Sequence, residues 1–249
     1  MVSYLNSKPF EQGLVNSIYG DEFEILTETP AVCAKLFDDN KVDIALIPSG
    51  ALHDISGKYK IISDYCIGCD GAVRTVAIFS NEPLKQCKRL ITDNHSRTSV
   101  LLSALLLDEL FNLQPEIISA NVDDFSLIPY DCMLMIGDKV FDKEPNFLYK
   151  YDLGLAWKEL TGLPLAFAVW AAKIEVNDDI IAKLNHSFES GMNNLDKIIE
   201  RESSENLDLY YYFKNNISYS FDQDKKTSLD LYLRNTKKYH NLVISKSNN

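Results

Sequence analysis

The sequence predicts a two-lobed α/β protein with a ligand cleft between the lobes and a helical C-terminal region, on three observations. Short apolar β-like runs alternate with helical patterns through the first half. A turn-rich stretch, Asn81-Glu82-Pro83, separates two such series, and after Lys173 the pattern is helical throughout. In the first series, strands are expected at residues 2–5, 23–26, 44–47 and 59–62, with helices near 9–19 and 30–40. Both helices open on proline, whose missing N–H costs nothing at a helix start. Alternation of this kind predicts βαβ units on a largely parallel sheet.

Residues 73–80 form a longer extended run before the turn. The second series then reads as a strand at 89–92, a helix at 98–111, and strands at 116–119 and 132–136. An apolar segment at 163–172 precedes Lys173, and a helical pattern covers 178–201. The expected lobes are therefore residues 1–84 plus 174–249, and residues 85–173. This division requires the last helices to return to the first lobe; a separate all-helical third domain is the alternative.

Composition removes several function classes. With 46% hydrophobic and 24% charged residues in 249, the chain is globular in composition. The apolar run at 163–172 is about half of the roughly 18 residues a membrane span needs, so no membrane partner is expected. A net charge of −11 and the lack of a Lys/Arg cluster speak against nucleic acid. Lys225-Lys226 and Lys237-Lys238 are interleaved with Asp222, Asp224 and Asp230 and read as a solvated helix face. The start carries no basic and apolar leader, which makes a cytoplasmic protein the expectation. Five cysteines at unrelated spacings predict reduced thiols. Cys66-Ile67-Gly68-Cys69 has no second pair or nearby histidines to complete a metal site, so no metal is expected.

The candidate ligand groups lie where strands end and helices begin. In the run from Thr92 to Ser99, Ser96, Arg97, Thr98 and Ser99 open a helix, where free N–H groups, hydroxyls and a guanidinium can hold a carboxylate. Helix capping by Ser96 or Thr98 is the competing reading. Ser49 follows an apolar strand and Pro48, and Asn6 stands at the end of the first strand with an amide that donates and accepts. Asp70-Gly71-Ala72 reads as a turn into a strand carrying Arg74 and Thr75. Trp157 and Trp170 are core candidates that could also wall a pocket.

Together these segments resemble the chorismate dehydratase family over nearly the whole chain. The resemblance rests on Val2-Ser3-Tyr4-Leu5-Asn6, residues 43–49, Gly68-Cys69-Asp70-Gly71, Ser96-Arg97-Thr98-Ser99-Val100-Leu101, Ile136-Gly137-Asp138, and residues 152–172. The chain departs from the family pattern at Ser7-Lys8 and Lys139, which bears on pocket charge. The resemblance implies a type II periplasmic-binding-protein fold and conversion of chorismate to 3-[(1-carboxyvinyl)oxy]benzoate plus water, without a cofactor, at the start of the futalosine route to menaquinone. It implies catalytic roles for Asn6 and Thr75, and substrate binding by Ser7, Ser49, Arg74, Ser96, Arg97, Thr98, Ser99 and Trp170. Two rivals stand beside it. The sister enzyme that releases 1,4-dihydroxy-6-naphthoate has a different N-terminal signature from Tyr4-Leu5-Asn6. A non-catalytic solute-binding protein would be expected to begin with a secretory signal or lipid-anchoring cysteine.

Overall fold

A computed structural model describes residues 1–93, 96–120, 131–202 and 208–241. Asn94, His95 and the end of the tail lie outside the described residues. Among the described residues, nine strands form two sheets. The first holds β1 (Ile44–Pro48), β2 (Tyr59–Cys69), β8 (Leu165–Lys173) and β9 (Ser218–Ser220), in the order β1-β8-β2-β9. The second holds β3 (Val76–Ser80), β4 (Arg89–Asp93), β5 (Glu116–Ala120), β6 (Cys132–Ile136) and β7 (Tyr149–Asp152), in the order β5-β4-β6-β3-β7.

Strand direction departs from the expected parallel sheet. In the first sheet every pairing is antiparallel; in the second only β4 runs parallel to its neighbours, β5 and β6. Runs that are apolar on both faces look alike in either direction, so only the connections decide. The expected strands at 2–5 and 23–26 reduce to one parallel bridge, Val2 to Glu28, and Leu5–Ser7 turns into a 3-10 helix. A groove of about 910 Å³ separates residues 23–26 from β1, so that segment has no ladder to join on this side.

Sheet membership also moves the crossings between lobes away from the expected boundaries at 84 and 173. All five residues of β3 are buried, and it sits between β6 and β7 in the second sheet. All nine residues of β8 are buried, and it sits between β1 and β2 in the first. The chain therefore crosses between Cys69 and Val76, and again between Asp152 and Leu165. Turn chemistry at Asn81-Glu82-Pro83 marks the end of β3, not a lobe boundary.

The helices are α1 (Lys8–Val15), α2 (Pro30–Asp38), α3 (Arg97–Glu109), α4 (Lys139–Lys143), α5 (Leu153–Thr161), α6 (Asp178–Asn193), α7 (Leu195–Glu202), α8 (Leu209–Tyr211) and α9 (Gln223–Thr236). The tail packs on both lobes and is no third domain. α6 lies on α1, and α9 lies on β8 and α3. Trp157 on α5 donates its indole N–H to Ser228 Oγ on α9 at 3.0 Å, and Tyr232 donates to the Thr98 carbonyl at 3.0 Å. One expectation about cysteine fails: Cys87 and Cys132 form a disulfide, with Cα atoms 6.0 Å apart. The register that sets Leu90 beside Cys132 brings them together. Cys33, Cys66 and Cys69 are free and buried.

The α1–α6 contact is backbone against backbone. A Cβ on Gly191 would stand 1.9 Å from the Pro9 carbonyl oxygen, and one on Gly13 would stand 2.2 Å from that of Ser187. Neither obstacle is a side chain that could turn aside. Gly191→Ala is therefore expected to destabilise the fold by about 1–3 kcal/mol, the usual cost of overpacking, read as a lower urea midpoint with an unchanged slope.

Candidate active site

The cavity between the two lobes is assembled from segments far apart in sequence. Asn6 arrives on the 3-10 turn before α1, Thr75 on the crossing segment before β3, Ser96, Thr98 and Ser99 at the start of α3, and Gly137 after β6. Leu46, Ile67, Val76, Ile136 and Phe167 supply an apolar floor. Its volume is only about 70 Å³, room for about two waters. Among the described residues its lining carries no Asp, Glu, Lys, Arg or His. Positive potential on its wall comes from the N-terminus of α3, a helix of 13 residues.

Thr75 is held in place by a constrained backbone. Arg74 adopts φ +68°, a left-handed conformation that costs a non-glycine residue about 1–2 kcal/mol. The Asp152 carboxylate offsets this by accepting four backbone N–H groups: Val73 at 3.1 Å, Arg74 at 2.7 Å, Gly154 at 2.9 Å and Leu155 at 3.0 Å. The last two are at the start of α5, so one side chain caps a helix and fixes the turn before Thr75. The Thr75 carbonyl then accepts the N–H of Gly137 at 2.9 Å. Gly137 has φ +73°, and a Cβ there would meet the Tyr4 ring at 2.9 Å. This is a position only glycine fills.

A buried tyrosine stands behind Thr75. Tyr212 is fully buried, and its hydroxyl lies 3.1 Å from Thr75 Oγ1. Its ring stands edge-on to Phe141 at 5.2 Å and 90°. Beside them, Asp138 accepts the Leu5 N–H on Oδ2 at 3.0 Å, while its Oδ1 is buried without a partner.

The other expected ligand groups divide between wall and scaffold. Ser96, Thr98 and Ser99 reach the cavity wall, but Ser96 also caps α3, accepting from the Ser99 N–H at 3.4 Å. Thr98 Oγ1 accepts the Gly50 N–H at 3.0 Å and donates to the Phe167 carbonyl at 3.1 Å, which joins the lobes. Ser49 donates to the Ala166 carbonyl at 2.6 Å. Ser7 is buried beside the site with an unpartnered hydroxyl and does not line the cavity. Arg97 points away to an ion pair with Asp54, and the Arg74 guanidinium stacks 5.3 Å over Phe141. Trp170 belongs to an aromatic cluster with Phe10 and Phe188, at 5.4 and 4.5 Å, outside the cavity. Trp157 is fully buried core. Cys66 and Cys69 are buried on β2; desolvation pushes the Cys66 thiol up to about 12 and raises Cys69 as well, which makes both poor nucleophiles.

Comparison with known proteins gives this geometry a family. A family model described as menaquinone biosynthesis matches residues 1–238. The chain belongs to the menaquinone biosynthesis family. A curated relative, chorismate dehydratase of Thermus thermophilus, is 25% identical over 200 residues, covering 73% of each chain. Among solved structures, protein AF1704 of Archaeoglobus fulgidus matches with a TM-score of 0.66 at 13% identity, over 93% of this chain and 94% of that one. The periplasmic aliphatic sulphonate binding protein SsuA of Escherichia coli matches at 0.60 and 12% identity, over 93% and 90%. The fold is that of the periplasmic solute-binding proteins. No helix among the described residues is long and apolar enough to cross a membrane.

Two residues of this family member escaped the sequence reading. Tyr212 lies in a run, Tyr210-Tyr211-Tyr212-Phe213, that reads as amphipathic packing. Its one signal is the π-helical turn Tyr212–Asn216, a distortion often found at functional sites and invisible in sequence. Asp138 was noted only as part of a matching run. Burial raises its carboxyl above the ordinary 3.8, against the lowering effects of the Leu5 N–H and Lys8. The native state thus holds this proton more tightly than the unfolded chain, and stability is lost as pH rises from about 4 through the folded value. The stability of the native protein relative to Asp138→Asn should therefore fall over that range, measured by urea unfolding at a series of pH values. A difference that stays flat or rises would remove the assignment.

Proposed function

We propose that the protein is a chorismate dehydratase acting in the cytoplasm, converting chorismate to 3-[(1-carboxyvinyl)oxy]benzoate and water without a cofactor, as the first step of the futalosine route to menaquinone. One observation carries the reading: Asn6 and Thr75, about 70 positions apart in sequence, line one inter-lobe cavity together with the residues that open α3. The named relative and the family model support the same reaction.

The chemistry follows from the substrate. The ring hydrogen beside the enol ether is vinylogous to the ring carboxylate, so its removal gives a delocalised carbanion. The ring hydroxyl then leaves as water, and aromatisation supplies the driving force. The wall supplies neutral donors and acceptors and no ionised base among the described residues. The substrate's own enolpyruvyl carboxylate therefore takes the ring proton, and the carboxylic acid so formed passes it to the departing hydroxyl. The protein holds the reacting groups together and stabilises the charge that develops. Asn6 and Thr75 hydrogen-bond the reacting ring and its leaving hydroxyl, and the N-terminus of α3 with Ser96 and Ser99 receives a carboxylate. Pockets for molecules of this size run to about 300 Å³ or more, so the lobes part to admit chorismate and close around it.

Purified protein mixed with chorismate, without added metal or nucleotide, is expected to yield a product lighter by one water with aromatic absorbance, followed by chromatography with mass detection. Chorismate left unchanged, and without effect on thermal unfolding, would overturn the proposal in favour of a solute-binding protein or the sister enzyme. Asn6→Ala and Thr75→Ala should each lower kcat/KM by about 100-fold or more while shifting Tm by only about 2 °C. Equal loss of fold and activity in both would make them structural residues.

A further inference from the structure

Asn6 stands on a helical run that does not cap itself. Leu5–Ser7 continues directly into α1, and neither Tyr4 before the run nor Ser7 before α1 makes a side-chain cap bond. The first amide of the run, on Leu5, is instead taken by Asp138 Oδ2 at 3.0 Å, from 133 positions away. Asp138 occupies the N-cap position of α4 but makes no cap bond to its own helix. From the end of β6 in the second lobe, its carboxyl serves a helix start in the first.

The residue beside it serves the other polar group of the cavity wall. Gly137 donates its N–H to the Thr75 carbonyl at 2.9 Å. With φ +73° and the Tyr4 ring where a Cβ would stand, Gly137 lets this turn close on the approach to Asn6. On the far side, Tyr219 of β9 donates to the Asn6 carbonyl at 2.9 Å. Each of these bonds has a backbone N–H or C=O at one end, so each has a single possible direction. Asn6 is therefore held on both sides, once from each lobe, and the pair Gly137-Asp138 ties that hold to Thr75.

We infer that Asp138 is a positioning residue: by accepting the Leu5 N–H it sets the turn that carries Asn6 at a fixed distance from Thr75. The inference rests on the proposed reaction and adds to it the group that aligns its two polar side chains. Asp138 does not itself line the cavity, so its effect passes through Asn6. Misplacing a reacting group by about 1 Å can cost about 100-fold in rate, and a helix start whose first amide has lost its partner is where such a shift begins. The role requires the acceptor oxygen, not the charge.

Asp138→Asn keeps an oxygen for the Leu5 N–H and removes the charge; Asp138→Ala removes both. With chorismate, Asp138→Ala should lower kcat about 10- to 100-fold with KM within about threefold, while Asp138→Asn stays within about threefold of the native kcat. In an Asn6→Ala background, Asp138→Ala should lower kcat no further. A native rate in Asp138→Ala, losses that multiply in the double variant, or an Asn variant as slow as the Ala variant would overturn the inference. Should Asp138→Ala not fold, Asp138→Glu, which moves the oxygens by one methylene, takes its place with the same expected loss. Hydrogen exchange at the Leu5 amide separates this inference from the reaction. Exchange should be slow in the native protein and in Asp138→Asn, and about tenfold or more faster in Asp138→Ala. Equal exchange in all three overturns the positioning role even where chorismate is converted. If the native protein leaves chorismate unchanged, the proposed reaction falls, and faster exchange in Asp138→Ala still supports the hold on the Asn6 turn.

Discussion

The Asp152 carboxylate is the constraint on which the site depends. It draws two amides of the crossing segment and two of α5 onto one pair of oxygens. Without those bonds, nothing compensates the left-handed backbone at Arg74, and Thr75 has no reason to face the cavity. The same carboxylate sits where β7 ends and α5 begins, so the helix start and the strained turn are fixed together. Charge-assisted bonds of this kind are each stronger than neutral ones. A single acidic side chain thus converts a sequence-local event, helix capping, into the geometry between lobes.

Around this point the protein solves a charge problem locally. Its net charge is −11, a poor field for an anionic ligand, and the arginines expected at the cavity are engaged elsewhere: Arg97 with Asp54, and Arg74 over Phe141. What remains is the N-terminal end of α3, whose residues from Thr98 through Leu107 are all buried. A buried helix end is less screened by solvent than a surface lysine. On the proposed reading, recognition in this site relies on backbone dipoles and neutral hydroxyls, which hold a charged group without fixing the protonation of the site.

The fold class was legible in sequence because apolar runs and helix starts are local signals. Pro30 opens α2, and Asp152 followed by an apolar helix opens α5 and Gly162 closes it at φ +73°. Strand direction was not legible, since β8 is buried on both faces and reads the same whether its neighbours run with it or against it. Asn6 and Thr75 were singled out through the family resemblance, and both line the cavity, although Asn6 sits on a 3-10 turn instead of a strand end and Thr75 just before β3. Ser49, Arg97 and Trp170 show the limit of such an expectation: a strand or helix end tells where a side chain starts, and the opposing lobe decides what it meets. Tyr212 was hidden for a different reason. Its hydrogen-bond partner, Thr75, lies 137 positions away in the chain, and nothing in its own neighbourhood distinguishes it from the tyrosines beside it.

Thr98 has a kinetic meaning as well as a structural one. Its hydroxyl bridges the Gly50 amide of one lobe and the Phe167 carbonyl, and its own carbonyl accepts from Tyr232, while a Cβ on Gly50 would stand only 2.8 Å from its backbone. Parting of the lobes around a larger molecule would break these bonds. A site that must open in this way cannot turn over more often than it opens, however fast the chemistry inside becomes.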